Sequence, residues 1–338
     1  RFLVCMRTNL LNLFLAWSLL LLSGCGGGGG GSSSSSSTYT ASPSVFINSS
    51  TIANVVTLNY LRQMFFDGTY LYVVNSIDAD QTTSNGGKIY KFDSTGAYIS
   101  YYGASIKWPF SVAVYNSNVF TVATDTGGSG STGLINLSSS TTPVVTALAS
   151  PYAVAIDSAN GRIYVSDVGG GTYANSVVIY TIGSYGAPLA FVSIGSNPSG
   201  IAYDSSLGYM YVTRQSATSA GVYKINTSTY AASSMVGASF GSVFNNPTGI
   251  AVRSAYKEVY VANTGTASGD TDSSILKITY DSSGNATAVT TFLSGSSTSS
   301  MLCGPVGLAI NGNTLYISNG TCTTNNAYAK SVIKVVLD

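Results

Sequence analysis

Histidine is absent from all 338 residues, and Glu258 is the sole glutamate. The first absence removes Ser-His-Asp and Cys-His catalysis, His-dependent zinc sites and the usual proton shuttle near neutral pH. Charge of either sign is scarce: 14 basic and 13 acidic residues leave a formal net charge of +1. No electrostatic footprint for nucleic acid or an anionic membrane surface follows from that balance. Long apolar runs are missing too. Leu10 to Leu22 is a run of 13 residues interrupted by Asn12 and Ser18, too short to span a bilayer. What remains is 45% hydrophobic, with 24 tyrosines and 37 glycines, the composition of an exported all-β protein whose loops are solubilised by neutral polar groups.

The organising stretch is Pro151 to Asp167, PYAVAIDSANGRIYVSD, because near-copies begin at Pro109, Pro198, Pro247 and Pro305. A sixth, degenerate copy, LRQMFFDGTYLYVVN, begins at Leu61. Starts 48, 42, 47, 49 and 58 residues apart have the spacing of a repeat architecture. Each copy reads as two short strands joined by a tight turn. In the first strand the second and fourth positions after the proline are small, as in Gly249 and Ala251, and the third and fifth are large, as in Ile250 and Val252. Side chains alternate faces along a strand, so one face is slim and suits the crowded innermost position of a radial array. Asp67, Asp157, Asp204 or Asn311 opens the turn by bonding back to its own backbone. The second strand carries one ring per copy, Tyr72, Phe120, Tyr164, Tyr211, Tyr260 and Tyr316, expected to pack between adjacent sheets.

A third strand follows in every copy, such as GVYKI from Gly221, and an outer fourth in most, such as AVTTFL from Ala288. Four antiparallel strands repeated six times describe an all-β, six-bladed β-propeller. The last copy lacks its fourth strand at Asp338, and Thr51 to Leu58, TIANVVTL, is expected to supply it from the N-terminal side and seal the ring. Segments such as FNNPTGIAV, Phe244 to Val252, resemble NHL repeats, and Val192 to Thr213 resembles the related YVTN-type repeat. The resemblance covers residues 51 to 338 and implies a propeller without implying an activity. Zinc-dependent amidating lyases of that family rely on histidines this chain lacks, and lactonase-like propellers with an axial acidic calcium cluster find no clear counterpart.

The N-terminal region reads differently. Arg7, the apolar run and Leu22-Ser23-Gly24-Cys25 closely resemble the signal and lipobox of prokaryotic lipoproteins. The resemblance implies cleavage before Cys25 and its acylation, with residues 1 to 5 upstream of a true start at Met6. Residues 1 to 24 are thus the expected signal peptide, 25 to 45 a lipidated Gly/Ser tether and 46 to 338 the propeller. The tether's twelve Gly and Ser residues, 26 to 37, form a flexible coil with a mean reach of roughly 20 Å. The expected address is the extracytoplasmic side of a prokaryotic envelope, on the outer membrane or cell surface, with the lipid anchor as the only membrane contact.

In a propeller, the loops entering the innermost strand share one face with those joining second to third strands. The latter are long here and rich in Gly, Asn, Asp and Thr, and binding residues concentrate on such loops. Arg62, Phe110 and Tyr152, one residue into innermost strands, and Asn75, Asp167, Arg214, Asn263 and Asn319, at second-strand ends, form the candidate ligand-binding rim. They suit a sugar, peptide or carboxylate, or else serve as ordinary turn-making rim residues. Cys303 and Cys322 lie on the same face; exported context and an even cysteine count predict a disulfide, contributing about 3 kcal/mol. Asp78 with Asp80, and Asp270 with Asp272, offer oxygen pairs to calcium but lack the later bidentate acid of an EF-hand; no other cofactor is expected. Glu258 falls beside a turn on the opposite face, where a solvated role is expected. The leading expectation is a non-catalytic module binding protein or glycan. The alternatives are a propeller hydrolase or lyase with an axial Asp/Arg/Tyr site, with or without calcium, and a structural cell-surface component.

Overall fold

Each repeat folds into one four-stranded antiparallel sheet, and six sheets stand round a common axis in a computed structural model. It describes residues 41–48, 58–76, 86–124, 132–216, 218–236, 238–266, 272–295, 301–320 and 327–338. From the axis outward, blade 1 comprises Leu61–Phe66, Leu71–Asn75, Gly87–Phe92 and Tyr98–Ile106. Blade 2 comprises Pro109–Tyr115, Asn118–Ala123, Gly133–Asn136 and Pro143–Val145. Blade 3 comprises Pro151–Asp157, Arg162–Asp167, Ser176–Thr181 and Ala190–Ser193. Blade 4 comprises Pro198–Asp204, Tyr209–Arg214, Gly221–Asn226 and Ala232–Ser234. Blade 5 comprises Pro247–Arg253, Glu258–Asn263, Ser274–Tyr280 and Ala286–Ser294.

Blade 6 is composite. Pro305–Asn311, Thr314–Asn319 and Val332–Val336 are completed on the outside by Ser44–Ile47. The ring is therefore closed by an N-terminal strand, as the repeat count requires, but the strand is SVFI. Of the predicted segment, residues 51–57 lie outside the described residues. The reason for the choice is visible in the packing: Val45 pairs with Ile333 and Ile47 with Val332. Phe46 lies 4.9 Å from Tyr316, ring centre to ring centre, so the short strand brings an aromatic to the last blade's belt.

The slim face of each innermost strand meets the next blade's backbone. A β-carbon on Gly200 would strike the carbonyl oxygen of Thr248, one on Gly249 that of Val306, and one on Gly307 that of Arg62. Those carbonyls lie on the inner edge of the sheet, where no further strand can bond them, and buried carbonyls need donors. Hydroxyls supply one across every seam. Ser76 donates to Pro109 O, Thr124 to Pro151 O at 3.3 Å and Ser166 to Ser199 O at 2.9 Å. Thr213 donates to Thr248 O at 2.7 Å, Thr264 to Pro305 O at 2.8 Å and Ser318 to Arg62 O at 2.7 Å. The aromatic belt is buried throughout and packs between blades, as where Tyr211 meets Tyr280 at 5.6 Å and Tyr316 stacks on Phe66 at 5.8 Å.

At the turn face, Asp67 accepts from the backbone N–H of Thr69 and Tyr70, Asp157 from Ala159 and Asn160, and Asp204 from Ser206. Burial alone would raise the Asp204 carboxyl. Hydrogen bonds from Ser206, Tyr280 and Ser254 outweigh that and hold it below the usual carboxylate range. Glu258 departs from the solvated role expected of it. It is buried, 3.0 Å from Arg253 Nη1 and 2.5 Å from Lys277 Nζ, and accepts from the Tyr260 hydroxyl at 3.0 Å. Arg253 also donates to Asp338 O at 2.7 Å and Asn313 Oδ1 at 2.9 Å. The sole glutamate is thus the centre of a lock that ties the C-terminal strand to blade 5.

Candidate functional site

Every innermost strand carries the same irregularity: its register against the second strand slips just after the first residue, by Ser111 in blade 2, Ala153 in blade 3 and Met64 in blade 1. The same slip recurs in blades 4, 5 and 6. A β-bulge re-aims a side chain, and here it releases the residue after the proline from strict alternation. Six such residues ring the mouth on the long-loop face: Arg62, Phe110, Tyr152, Ser199, Thr248 and Val306.

The ring has two unlike halves. In blades 4 to 6 the residue is small and buried. Ser199 Oγ lies 2.8 Å from Thr213 Oγ1 and donates to Pro247 O at 2.9 Å, and Thr248 Oγ1 lies 2.7 Å from Thr264 Oγ1. In blades 1 to 3 it is large, partly accessible and directed at its neighbours. The Arg62 guanidinium lies over the Phe110 ring at 5.0 Å, and Phe110 packs on Tyr152 at 5.1 Å with 32° between planes. Three side chains from three blades therefore form one continuous stack. The Arg62 Nε is buried with no acceptor. Burial pushes the Tyr152 phenol up, against the opposing charge and hydrogen bond of Arg62, so the hydroxyl stays protonated at neutral pH.

Below the stack runs an axial channel of about 250 Å³. Its lining begins at Gln63, Ser111 and Ala153, the residues that follow Arg62, Phe110 and Tyr152, and continues through Met64, Val112, Val154, Ile201, Ile250 and Leu308. Most of its lining side chains are aliphatic or aromatic, and polar groups share the exposed wall with them.

The other five rim residues are not free in the same way. Each is the last residue of a second strand and clamps the loop that enters its own blade. Asn75 Oδ1 accepts from Asn59 N at 2.9 Å, and Asp167 accepts from Ser150 N at 2.7 Å and Ala149 N at 3.0 Å. Arg214 stacks on Tyr223 at 4.4 Å and donates through Nη1 to Ile194 O at 3.2 Å and through Nε to Ser219 O at 2.8 Å. Asn263 donates to Val243 O at 2.9 Å, and Asn319 accepts from Cys303 N at 3.1 Å while donating to Met301 O at 2.8 Å. These contacts place the two sets of loops on one face, as the repeat geometry predicts. They also give five polar side chains a structural task that strand spacing alone does not reveal.

Cys303 is buried, and Cys322 lies outside the described residues, as do Cys25, Asp78, Asp80 and Asp270. Asp272 is described, and its Oδ2 accepts from Asn245 Nδ2 at 2.8 Å and Thr266 N at 2.9 Å. Among the described residues no three His, Cys, Asp or Glu side chains gather as a metal-binding group. Sequence reasoning misses the bulge, the hydroxyl staples and the pairing of Tyr60 with Trp108 at the same edge of the mouth, ring centres 6.4 Å apart. The run of Ser and Thr near second-strand ends, Ser76, Thr124, Ser166, Thr213, Thr264 and Ser318, is the available signal for the staples.

Six blades, a composite last blade and a long-loop face make the molecule a six-bladed β-propeller. Among solved structures it is similar to a putative glucose dehydrogenase of Thermus thermophilus, with TM-score 0.61 and 14% identity over 88% of this chain and 100% of that one. It is also similar to a gluconolactonase of Xanthomonas campestris, with TM-score 0.57 and 10% identity over 88% and 90% of the two chains. The PQQ-bound aldose sugar dehydrogenase of Streptomyces coelicolor matches with TM-score 0.57 and 12% identity over 88% and 98%. At such identities the likeness shows the fold alone. No family model matches the chain, and no curated protein matches it.

Proposed function

We propose that the chain is a lipid-anchored, extracytoplasmic propeller that holds a protein or glycan ligand on its long-loop face without chemistry on that ligand. The observation that carries this reading is the set of clamps from Asn75, Asp167, Arg214, Asn263 and Asn319. They fix the entering loops against the ends of the second strands and so present the long loops from a rigid platform, the usual arrangement of a binding face. The test probes immobilised glycans and peptides with the full chain and with a variant whose 168–175 loop is shortened. Specific capture that the variant loses supports the reading; a folded chain that captures nothing overturns it.

Anchoring rests on Cys25 and its lipobox resemblance. Metabolic labelling with an alkyne fatty acid is expected to mark the protein and to fail for Cys25→Ser, which should also leave the membrane fraction. A Cys303–Cys322 disulfide fits the burial of Cys303 and its bond to Asn319, three residues before Cys322. The calcium reading rests on Asp78, Asp80 and Asp270 more than on Asp272, one of whose oxygens is engaged. A rise in melting temperature with millimolar calcium, absent in Asp78→Ala, would support it.

A second reading, a propeller hydrolase or lyase, is consistent with the gluconolactonase among the structures that share this fold. Turnover in a lactone and ester screen would establish it over the binding reading.

A further inference from the structure

Four arginines fall within the described residues, and three have carbonyl or carboxylate acceptors. Arg162 donates to Thr227 O at 2.6 Å, Arg214 to Ile194 O and Ser219 O, and Arg253 to Glu258, Asp338 O and Asn313. Arg62 is the exception, bonded to no carboxylate or carbonyl, with its Nε buried and unsatisfied. An unpaired buried donor on a cation is costly, and a guanidinium is built to receive a carboxylate through two parallel N–H bonds. One of its faces is taken by Phe110, which strips water from it and strengthens whatever anion it meets. Beside it stands the protonated Tyr152 hydroxyl, a further donor. Beneath it lies the axial channel of about 250 Å³, whose lining side chains are mostly aliphatic or aromatic.

A charged seat over a shaft lined mostly by aliphatic and aromatic side chains defines an amphipathic ligand. We propose that the axial channel binds a small monocarboxylate with an unbranched apolar tail, its carboxylate held by Arg62 and Tyr152 and its tail running down the axis between Val112, Val154, Ile201 and Ile250. The lining runs along as many as four residues of an innermost strand, from Gln63 to Phe66 in blade 1 and from Ala153 to Ile156 in blade 3, roughly 10 Å at the strand rise. That length suits a tail of about six to eight carbons. The inference goes beyond the loop-face reading and stands or falls separately from it, because a macromolecule on the loops and an acid in the shaft are read by different assays.

The experiment titrates the full chain with butyrate, hexanoate, octanoate and decanoate, with octanol and octylamine as controls, by calorimetry and thermal shift. Affinity is expected to rise about fourfold per methylene up to octanoate and then to stop rising as the channel fills. Octanol and octylamine should bind at least tenfold more weakly than octanoate. Arg62→Met, which keeps a chain of similar length against Phe110, should lose at least tenfold in octanoate affinity, and Tyr152→Phe several-fold, with both variants retaining the wild-type melting profile. Three results would overturn the proposal: no saturable binding of any acid to the folded chain, equal binding of octanoate and octylamine, or unchanged octanoate affinity in Arg62→Met. Should Arg62→Met fail to fold, the control ligands and the chain-length series on the wild-type chain decide alone.

Discussion

Blades 1 to 3 and blades 4 to 6 share one strand pattern, one bulge and one hydroxyl staple per seam, yet they treat the axis differently. In blades 4 to 6 the residues near the axis close contacts. Gly200, Gly249 and Gly307 admit the neighbouring backbone, and Ser199 and Thr248 bond across seams. In blades 1 to 3 the equivalent positions hold Gln63, Ser111 and Ala153 in place of glycine, and Arg62, Phe110 and Tyr152 in place of small residues. A repeat fold can thus vary one or two positions per copy while the rest of the copy maintains the ring, and the variation falls where a ligand would enter.

The comparison breaks most readily in the sealing half. Glu258→Ala leaves Arg253, whose side chain is 3% exposed, without its carboxylate, and is expected to cost about 3 to 5 kcal/mol in chemical denaturation. Gly249→Ala should cost about 2 to 3 kcal/mol, because the new β-carbon meets the Val306 carbonyl with no flexible side chain to give way. At the matching place in blade 3 the reverse change, Ala153→Gly, should cost only about 1 kcal/mol. Equal losses at the two sites, measured by denaturation midpoint, would erase the distinction between the halves.

A smaller effect carries a pH signature. The Asp204 carboxyl is held below its ordinary range, so its contribution to stability is present above the unfolded-state pKa and is lost as pH falls through the lower folded value. Asp204→Asn should therefore cost about 2 kcal/mol at neutral pH, and the gap from wild type should narrow as the medium is acidified through that window. A gap that stays constant with pH would show that the hydrogen bonds, and not the charge, matter there.

Much of the ring is legible from the chain because its signals are local. The alternation of small and large residues, the turn aspartates and the single ring per second strand each occupy a few adjacent positions and recur six times. What escapes depends on partners distant in sequence. Glu258 reads as a surface acid until Arg253, Lys277 and the C-terminal strand surround it. Sequence favours TIANVVTL as the closing strand because that run is longer and more apolar, whereas SVFI is selected by the fit of Phe46 against Tyr316 and Lys334. For the candidate site, spacing locates the eight rim positions. It does not divide them into five clamps and one three-membered stack, since clamp and ligand-binding residues use the same Asn, Asp and Arg side chains.

The claim that blades 1 to 3 hold an open seat and not a structural staple is tested most directly by the urea midpoint of Arg62→Met. If the guanidinium, with its Nε buried and unsatisfied, awaits an anion, replacing it with an apolar chain that still covers Phe110 should leave stability within about 1 kcal/mol of wild type, or raise it. A fall as large as that of Gly249→Ala would mean that Arg62 holds the ring together, and would contradict the account.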